Sequence, residues 1–178
     1  MRLLVRGLHG SLLSATLTLA ACGGTSSPTQ PSSTAQPGAS SPISSWKVTQ
    51  RFVSVTGPDN CWVRYQRGWL TGAVFSDLPM SVNRSSGAIT LDSEFFQVNY
   101  RGTYSGADFA ASGNQPLEGG GKPCDDGTSF QQMPGTSQLS GRFSADDQAL
   151  SATEVNSYRL NTGELVTYTW DWQASRQK

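Results

Sequence analysis

Glu154 occupies the position that most invites chemistry, because it lies on the apolar side of an alternating segment. Every second residue of this segment lies on the same side of the predicted strand: Leu150, Ala152, Glu154, Asn156, Tyr158 and Leu160. A carboxylate on an apolar face needs a partner, since burying an unpaired charge is costly. One interpretation is a polar contact in a ligand cavity, or an acid with a raised pKa. The other, which we favour, is an internal ion pair with Arg64 or Arg101, or a position near a barrel rim.

A second alternating segment supplies aromatic side chains to the same candidate site. From Glu164 to Gln173, one face carries Val166, Tyr168, Trp170 and Trp172. Tryptophan has a large rigid face and a polar N–H, which suits both ligand contact and core filling. A ligand requires an interior void of about 300 Å³ or more, and in a smaller void these rings only fill the core. The possible cavity residues are Glu154, Tyr158, Tyr168, Trp170 and Trp172.

Other chemistries lack the residues that they require. The single histidine, His9, lies in the N-terminal leader, which excludes His-dependent triads and His-ligated zinc from the rest of the chain. The pairs Asp125–Asp126 and Asp146–Asp147 lack the spacing of a calcium loop and suit turns instead. We predict no metal, no cofactor and no catalytic set. The alternative is a hydrolase with two carboxyl groups about 5–10 Å apart in one cleft, for which the candidates are Glu94, Glu154 and Glu164.

The elements that position these side chains are predicted to be short strands. Alternating apolar residues recur along the chain, in the groups Trp46/Val48/Phe52, Val63/Tyr65, Leu78/Met80/Val82, Ile89/Leu91 and Phe96/Val98/Tyr100. Short turns with Gly, Asp or Asn separate these groups, and we find no sustained helical spacing. The sequence predicts an all-β domain, an antiparallel meander of about 8–10 strands. Because closure removes exposed strand edges, we expect a small barrel or a curled sandwich.

The N-terminus has the pattern of an export signal. Arg2 and Arg6 precede a short apolar stretch, residues 8–20. This stretch is too short for a membrane-spanning helix, which needs about 20 apolar residues, and is typical of a signal peptide.

Leu19-Ala20-Ala21-Cys22 resembles the lipobox of bacterial lipoproteins. The resemblance implies a signal peptide over residues 1–21, cleavage before Cys22, and lipid on Cys22, including an acyl chain such as palmitate. Two or more acyl chains anchor a protein stably to a membrane. In a Gram-negative organism, Gly23 implies sorting to the outer membrane. The alternative is an ordinary signal peptide with a chance cysteine.

Composition divides the remaining chain into a linker and a domain. Residues 22–45 contain the lipidated cysteine and a Gly/Ser/Pro-rich segment without charge, for which we predict disorder. All tryptophan, tyrosine and phenylalanine residues follow Ser45, so the β-barrel-like domain is predicted to span residues 46–178. With Cys22 assigned to lipid, Cys61 and Cys124 are expected to form a disulfide in an exported protein. This bond would attach the loop around Cys124 to a strand near Trp62.

The domain loosely resembles the calycin-type barrels of lipocalins and avidin-like proteins. The resemblance rests on Trp46 in the first strand, the hairpin meander and the aromatic last strand that ends near Arg176. In lipocalins the tryptophan follows Gly-x, whereas Ser44-Ser45 precedes Trp46 here. The resemblance concerns fold and carries no binding residue with it.

These features predict a lipid-anchored cell-envelope protein that binds and does not catalyse. Its ligand is expected to be a small apolar molecule or a surface partner such as an envelope protein. The alternative is a structural or interaction lipoprotein with a solid core. The chain carries 13 basic and 13 acidic side chains, which removes the broad electrostatic attraction to nucleic acid.

Overall fold

A computed structural model describes residues 43–93, 95, 98–116 and 124–178. The predicted signal peptide, the lipidated Cys22 and the linker up to residue 42 lie outside the described residues, as do Glu94 and Phe96. In the part of the chain that is described, no helix is long and apolar enough to cross a bilayer. The described elements follow in chain order as β1 Ile43–Thr56, α1 Cys61–Leu70, β2 Val74–Ser85, β3 Ala88–Ser93, β4 Val98–Ser105, β5 Asp108–Gln115, β6 Gly135–Phe143, β7 Ala149–Arg159 and β8 Leu165–Arg176.

The eight strands form one closed antiparallel barrel in sequence order. Each strand pairs with its chain neighbours, and β1 closes the sheet by pairing with β8 as well as with β2. The predicted all-β meander is therefore confirmed, and a barrel rather than a sandwich is observed. We call the end that holds α1 and the turn before β8 the upper end, and the opposite end the lower end.

The alternation predicted in the last two strands is confirmed. In β8, Val166, Tyr168, Trp170 and Trp172 all point into the barrel and are buried, while the residues between them face outward. Glu154 on β7 also points inward and is 2% exposed. Because side chains alternate across a strand, both strands contribute every second residue to one core.

Glycines in the middle strands allow the small barrel to coil tightly. A Cβ atom at Gly102 in β4 would lie 1.9 Å from the carbonyl oxygen of Ala110. A Cβ atom at Gly141 in β6 would lie 2.3 Å from the carbonyl oxygen of Ser151. Glycine at such positions permits close approach of neighbouring strands and strong local bending.

The prediction of a strand at Val63 and Tyr65 is wrong, because these residues belong to helix α1. The side chain of Asn60 caps the helix by accepting a hydrogen bond from the backbone N–H of Val63 at 2.9 Å. Only Val63 and Leu70 are buried among the helical residues. Two buried positions are too few to show a helical period, which is why the apolar pattern here does not predict a helix.

The domain also begins earlier than predicted. Ile43, Ser44 and Ser45 were expected to belong to the linker, yet they form the start of β1. The Ser44 hydroxyl accepts a hydrogen bond from the Trp46 indole at 2.8 Å and lies 3.3 Å from the carbonyl oxygen of Val82, to which it donates. Sheet pairing therefore orders residues whose composition alone is that of a linker.

An aromatic and ionic cluster closes the lower end of the barrel. The guanidinium of Arg84 lies 4.4 Å from the centre of the Phe143 ring, a cation–π contact. Arg84 and Arg176 both form ion pairs with Asp147. Trp46 packs at 5.7 Å from Phe143, between ring centres, and faces Arg176 across β1 and β8. Trp46 and Arg176 thus lie side by side at this end.

Candidate ligand cavity

A cavity of about 270 Å³ lies at the upper end, between α1 and the interior of the barrel. This volume falls just below the range of about 300–1,000 Å³ of most ligand pockets. The predicted minimum of about 300 Å³ for a ligand cavity is therefore not met. The void is nonetheless larger than the cavity of about 150 Å³ that holds one benzene molecule, so it has room for a small molecule. Its wall consists of Gln50, Gln66, Trp69, Leu70, Phe75, Phe95, Val98, Gln115, Gln132, Glu154, Asn156, Tyr158, Tyr168 and Trp170.

The structure brings together four of the five residues predicted for a cavity. Glu154, Tyr158, Tyr168 and Trp170 line the wall. Trp172 does not, because it lies two residues nearer the lower end of β8 and is 0% exposed. Its indole Nε1 donates a hydrogen bond to Oε2 of Glu154 at 3.0 Å, so Trp172 supports the cavity floor from below.

Neutral hydrogen-bond donors surround the Glu154 carboxyl group. The Gln50 amide Nε2 donates to Oε2 at 2.7 Å. The Tyr100 hydroxyl donates to Oε1, and Trp172 supplies the third donor. The three donors come from β1, β4 and β8, so the carboxyl group joins strands around the whole barrel. The prediction that a buried carboxylate here needs partners is confirmed.

The prediction that Glu154 forms an ion pair with an arginine is wrong. Arg64 lies on α1 and pairs with Asp59 at 3.2 Å. Arg101 neighbours the inward-facing Tyr100 and therefore points to the outer face of β4, where it lines a surface groove. Because consecutive side chains of a strand face opposite sides, Tyr100 takes the place that Arg101 would need.

Burial raises the pKa of Glu154 above its ordinary value. The hydrogen bonds from Tyr100, Trp172, Gln50 and the adjacent Asn156 oppose this shift, because they favour the ionised form, but burial prevails. Burial also raises the pKa of Tyr100, and the negative charge of Glu154 adds to that effect. Tyr100 therefore stays protonated and continues to act as a donor.

Further polar groups extend this network toward the mouth of the cavity. The Ser137 hydroxyl lies 2.8 Å from Oε1 of Gln115 and 2.6 Å from Oδ1 of Asn156. One hydroxyl hydrogen serves only one of these oxygens. The rings of Tyr158 and Tyr168 stack with centres 5.4 Å apart, and the Tyr158 hydroxyl donates to that of Tyr168. The cavity wall thus offers both hydrogen-bonding groups and aromatic surface.

Part of this cavity wall is not predicted from the sequence. Gln50 lies between Val48 and Phe52 in an alternating segment. Like Glu154, it is a polar residue on an apolar face, so the reasoning used for Glu154 would also have identified Gln50. Gln66, Trp69 and Leu70 reach the cavity from α1. They could not be found because the helix itself was not predicted.

A disulfide holds α1 over the cavity. Cys61 and Cys124 are bonded, with their Cα atoms 6.0 Å apart, which is within the usual range. The pairing agrees with the prediction, but Cys61 begins α1 and does not belong to a strand. The bond therefore attaches the loop at Cys124 to the helix that covers the upper end.

The hydrolase hypothesis requires a second carboxyl group beside Glu154. Among the residues that the structure describes, Glu154 is the single carboxyl group in the cavity wall. Glu164 lies at the upper rim, where it accepts hydrogen bonds from Asn60 at 3.1 Å and Thr162 at 2.9 Å. Glu94 lies outside the described residues. The described part of the chain also contains no cluster of His, Cys, Asp or Glu suited to a metal ion.

Comparison with protein-family models, curated proteins and solved structures found no match for this chain. Any assignment of function therefore rests on the cavity and on the sequence.

Glu154→Gln is expected to flatten the dependence of stability on pH. A folded-state pKa above the ordinary 4.5 means that the folded protein binds more protons than the unfolded chain. Wild-type stability therefore falls as pH rises from about 4.5 to the folded pKa, by at most about 1.4 kcal/mol per pH unit from this group. Urea unfolding at a series of pH values from about 4.5 to 8 measures the slope. Asp171→Asn, on the exposed face of β8, should keep the wild-type slope; equal slopes in wild type and Glu154→Gln would contradict the assignment.

Proposed function

We propose that this protein is a lipid-anchored envelope protein whose barrel binds a small molecule without transforming it. The observation that carries the proposal is the cavity of about 270 Å³ at the upper end of the barrel, beside a core of buried apolar side chains. The mouths of small barrels are common positions for ligand sites. The cluster around Trp46, Phe143 and Asp147 closes the opposite end, so a ligand enters from the side of α1.

The cavity wall supports a ligand of mixed polarity. Phe75, Phe95 and Trp170 contribute aromatic surface, and Gln50 and Asn156 contribute amide groups. Ligand sites typically combine apolar walls with a few polar groups that fix orientation. The expected ligand is therefore a molecule that has an apolar part and at least one hydrogen-bonding group.

The lipid anchor is compatible with an accessible cavity. The described chain enters the barrel at the lower end, where β1 begins at Ile43. The cavity lies at the other end. The described chain therefore enters the barrel at the end opposite the cavity mouth.

Native mass spectrometry tests the binding function. The full chain is extracted from the envelope of its own host in mild detergent, with the disulfide intact. We expect a population whose mass exceeds that of the processed polypeptide by a small non-covalent adduct, which is lost on denaturation. A bare polypeptide in every preparation would overturn the binding proposal.

Cys22→Ser is expected to release the protein from the membrane fraction. The substitution removes the only acceptor for the diacylglyceryl group that the lipobox resemblance implies. Metabolic labelling with palmitate, followed by fractionation, measures both incorporation and location. Wild type should be labelled and sediment with membranes, whereas the variant should be unlabelled and soluble. Cys61→Ser, as the matched control, should stay labelled. Label on the Cys22→Ser variant would refute the assignment.

A second candidate function is a protein-interaction role at the envelope. It is favoured by large apolar side chains that are exposed at the upper end, namely Tyr65, Trp69, Val74, Phe95, Met133 and Leu165. Exposed apolar surface often marks a site of protein contact. Photocrosslinking from position 165, which lies outside the cavity wall, would capture a specific partner if this function holds.

A further inference from the structure

The Glu154 carboxyl group has no cationic partner among the described residues. Its hydrogen-bond donors, Gln50, Tyr100, Trp172 and Asn156, are all uncharged. Buried carboxylates in proteins are normally paired with a cation or bind a metal. When the carboxyl group ionises, the neutral donors lower the cost of its charge but do not cancel its field, so the field reaches the adjoining cavity.

The acceptors beside Glu154 suit a donor-rich ligand group. The side-chain oxygens of Gln50 and Asn156 belong to the same cavity wall as the carboxyl group. An ammonium group has three N–H donors and no acceptor. It can therefore bind Glu154 and still find partners among the neighbouring amide oxygens.

An aromatic cluster covers another part of the wall. The ring of Phe75 lies 5.9 Å from that of Trp170 and 6.2 Å from that of Phe95, between ring centres. Trp170 also makes an edge contact with Phe52 at 5.2 Å. Such rings attract both aromatic ligands and cations.

The volume limits the size of the ligand. A dry cavity of about 150 Å³ accommodates one benzene molecule. The present cavity of about 270 Å³ is less than twice that size. It has room for a single ring with a short side chain.

We propose that the cavity binds a small primary amine that carries one aromatic ring or a similar apolar group, with Glu154 accepting the ammonium group. This inference rests on the proposed binding function and specifies its ligand class. Glu154 acts as the charge-recognition residue, and Phe75, Phe95 and Trp170 contact the apolar part.

In the described cavity wall, Glu154 is the only group that can recognise a charged ligand, because the groups that face it are uncharged. Tyr100 faces it from β4, and Tyr158 and Tyr168 lie further along the wall on β7 and β8; burial raises the pKa of each of these phenols, so they are neutral. The wall residues of β1 and α1 are not titratable. Amine binding is therefore expected to weaken as pH falls through the raised pKa of Glu154.

Calorimetric titration of the full chain in mild detergent tests the inference. The probes are 2-phenylethylamine, the uncharged 2-phenylethanol and the anionic 2-phenylacetate. At a pH above the raised pKa of Glu154 we expect the amine to bind at least tenfold more tightly than the alcohol, and the acid to bind most weakly. Glu154→Gln should bind amine and alcohol equally. Asp171→Asn, which removes an exposed carboxylate from the neighbouring strand, should keep the wild-type preference.

The outcomes separate this inference from the binding function. Equal binding of amine and alcohol to wild type would overturn the amine inference and leave the binding function intact. Binding of none of the probes would also overturn it, and a bare polypeptide in native mass spectrometry would remove both proposals. Binding of 2-phenylethanol to the Glu154→Gln variant would show that this variant is folded. If that variant does not fold, the pH series on wild type decides, because a preference independent of pH would refute the role of Glu154.

Discussion

Trp172→Ala is expected to lower the free energy of unfolding by about 4 kcal/mol. The indole is 0% exposed, and its ring lies 5.9 Å from that of Tyr100 in an edge-on contact. Removing a buried tryptophan leaves a cavity and costs about 3–5 kcal/mol. The substitution also removes a hydrogen-bond donor from the buried carboxyl group of Glu154, and the lost hydrogen bond adds a further cost. Urea unfolding followed by far-UV circular dichroism measures the loss.

Trp69→Ala is the matched control for that substitution. Trp69 is the same residue type but is 63% exposed on α1. Substitutions at exposed positions usually change stability by less than about 0.5 kcal/mol. Trp172→Phe, which keeps a ring and removes only the N–H donor, should cost about 1–3 kcal/mol. A loss at Trp172 no greater than the loss at Trp69 would show that the barrel interior is not packed as described.

Replacing Cys61 and Cys124 together by serine is expected to cost about 4 kcal/mol. The bond joins residues 63 apart in sequence. In the chain-entropy model, opening a loop of that length increases the entropy of the unfolded chain by an amount worth about 4 kcal/mol at 25 °C. Urea unfolding of the full-length double variant against wild type measures the difference.

Two controls accompany the disulfide experiment. Reduction of the wild type with dithiothreitol should produce the same loss, since it opens the same loop without changing a residue. Cys22→Ser should leave stability unchanged, because residue 22 precedes the first strand of the barrel in the chain. An unchanged midpoint in both the double variant and the reduced wild type would mean that the bond does not form.

The strands and turns of this barrel were largely predictable because they are local features. Alternation of Val166, Tyr168, Trp170 and Trp172 reflects the two-residue period of a strand, which needs no knowledge of the neighbouring strands. The turns at Ser85–Gly87 and Asn161–Gly163 also depend on a few adjacent residues. Helix α1 was missed because it buries only Val63 and Leu70 and is held in place by its disulfide and cap.

The candidate site was predictable in part. Alternation placed Glu154, Tyr158, Tyr168 and Trp170 on the inner face, and all four line the cavity. The same alternation does not predict the position along the barrel axis at which the packed core ends and the cavity begins. Trp172 was therefore included, although it lies just below the cavity and supports its floor.

The amino-acid sequence alone establishes the strand periodicity and the composition step near residue 45, and it predicts an exported, lipidated leader, because each depends on residues close together in the chain. The partners of Glu154 were decided only by the tertiary structure. Gln50 lies 104 residues away and Tyr100 lies 54 residues away, on strands whose meeting depends on barrel closure and register. Closure also decides that the volume beneath α1 stays open, since no local pattern specifies how eight strands and a helix share one interior.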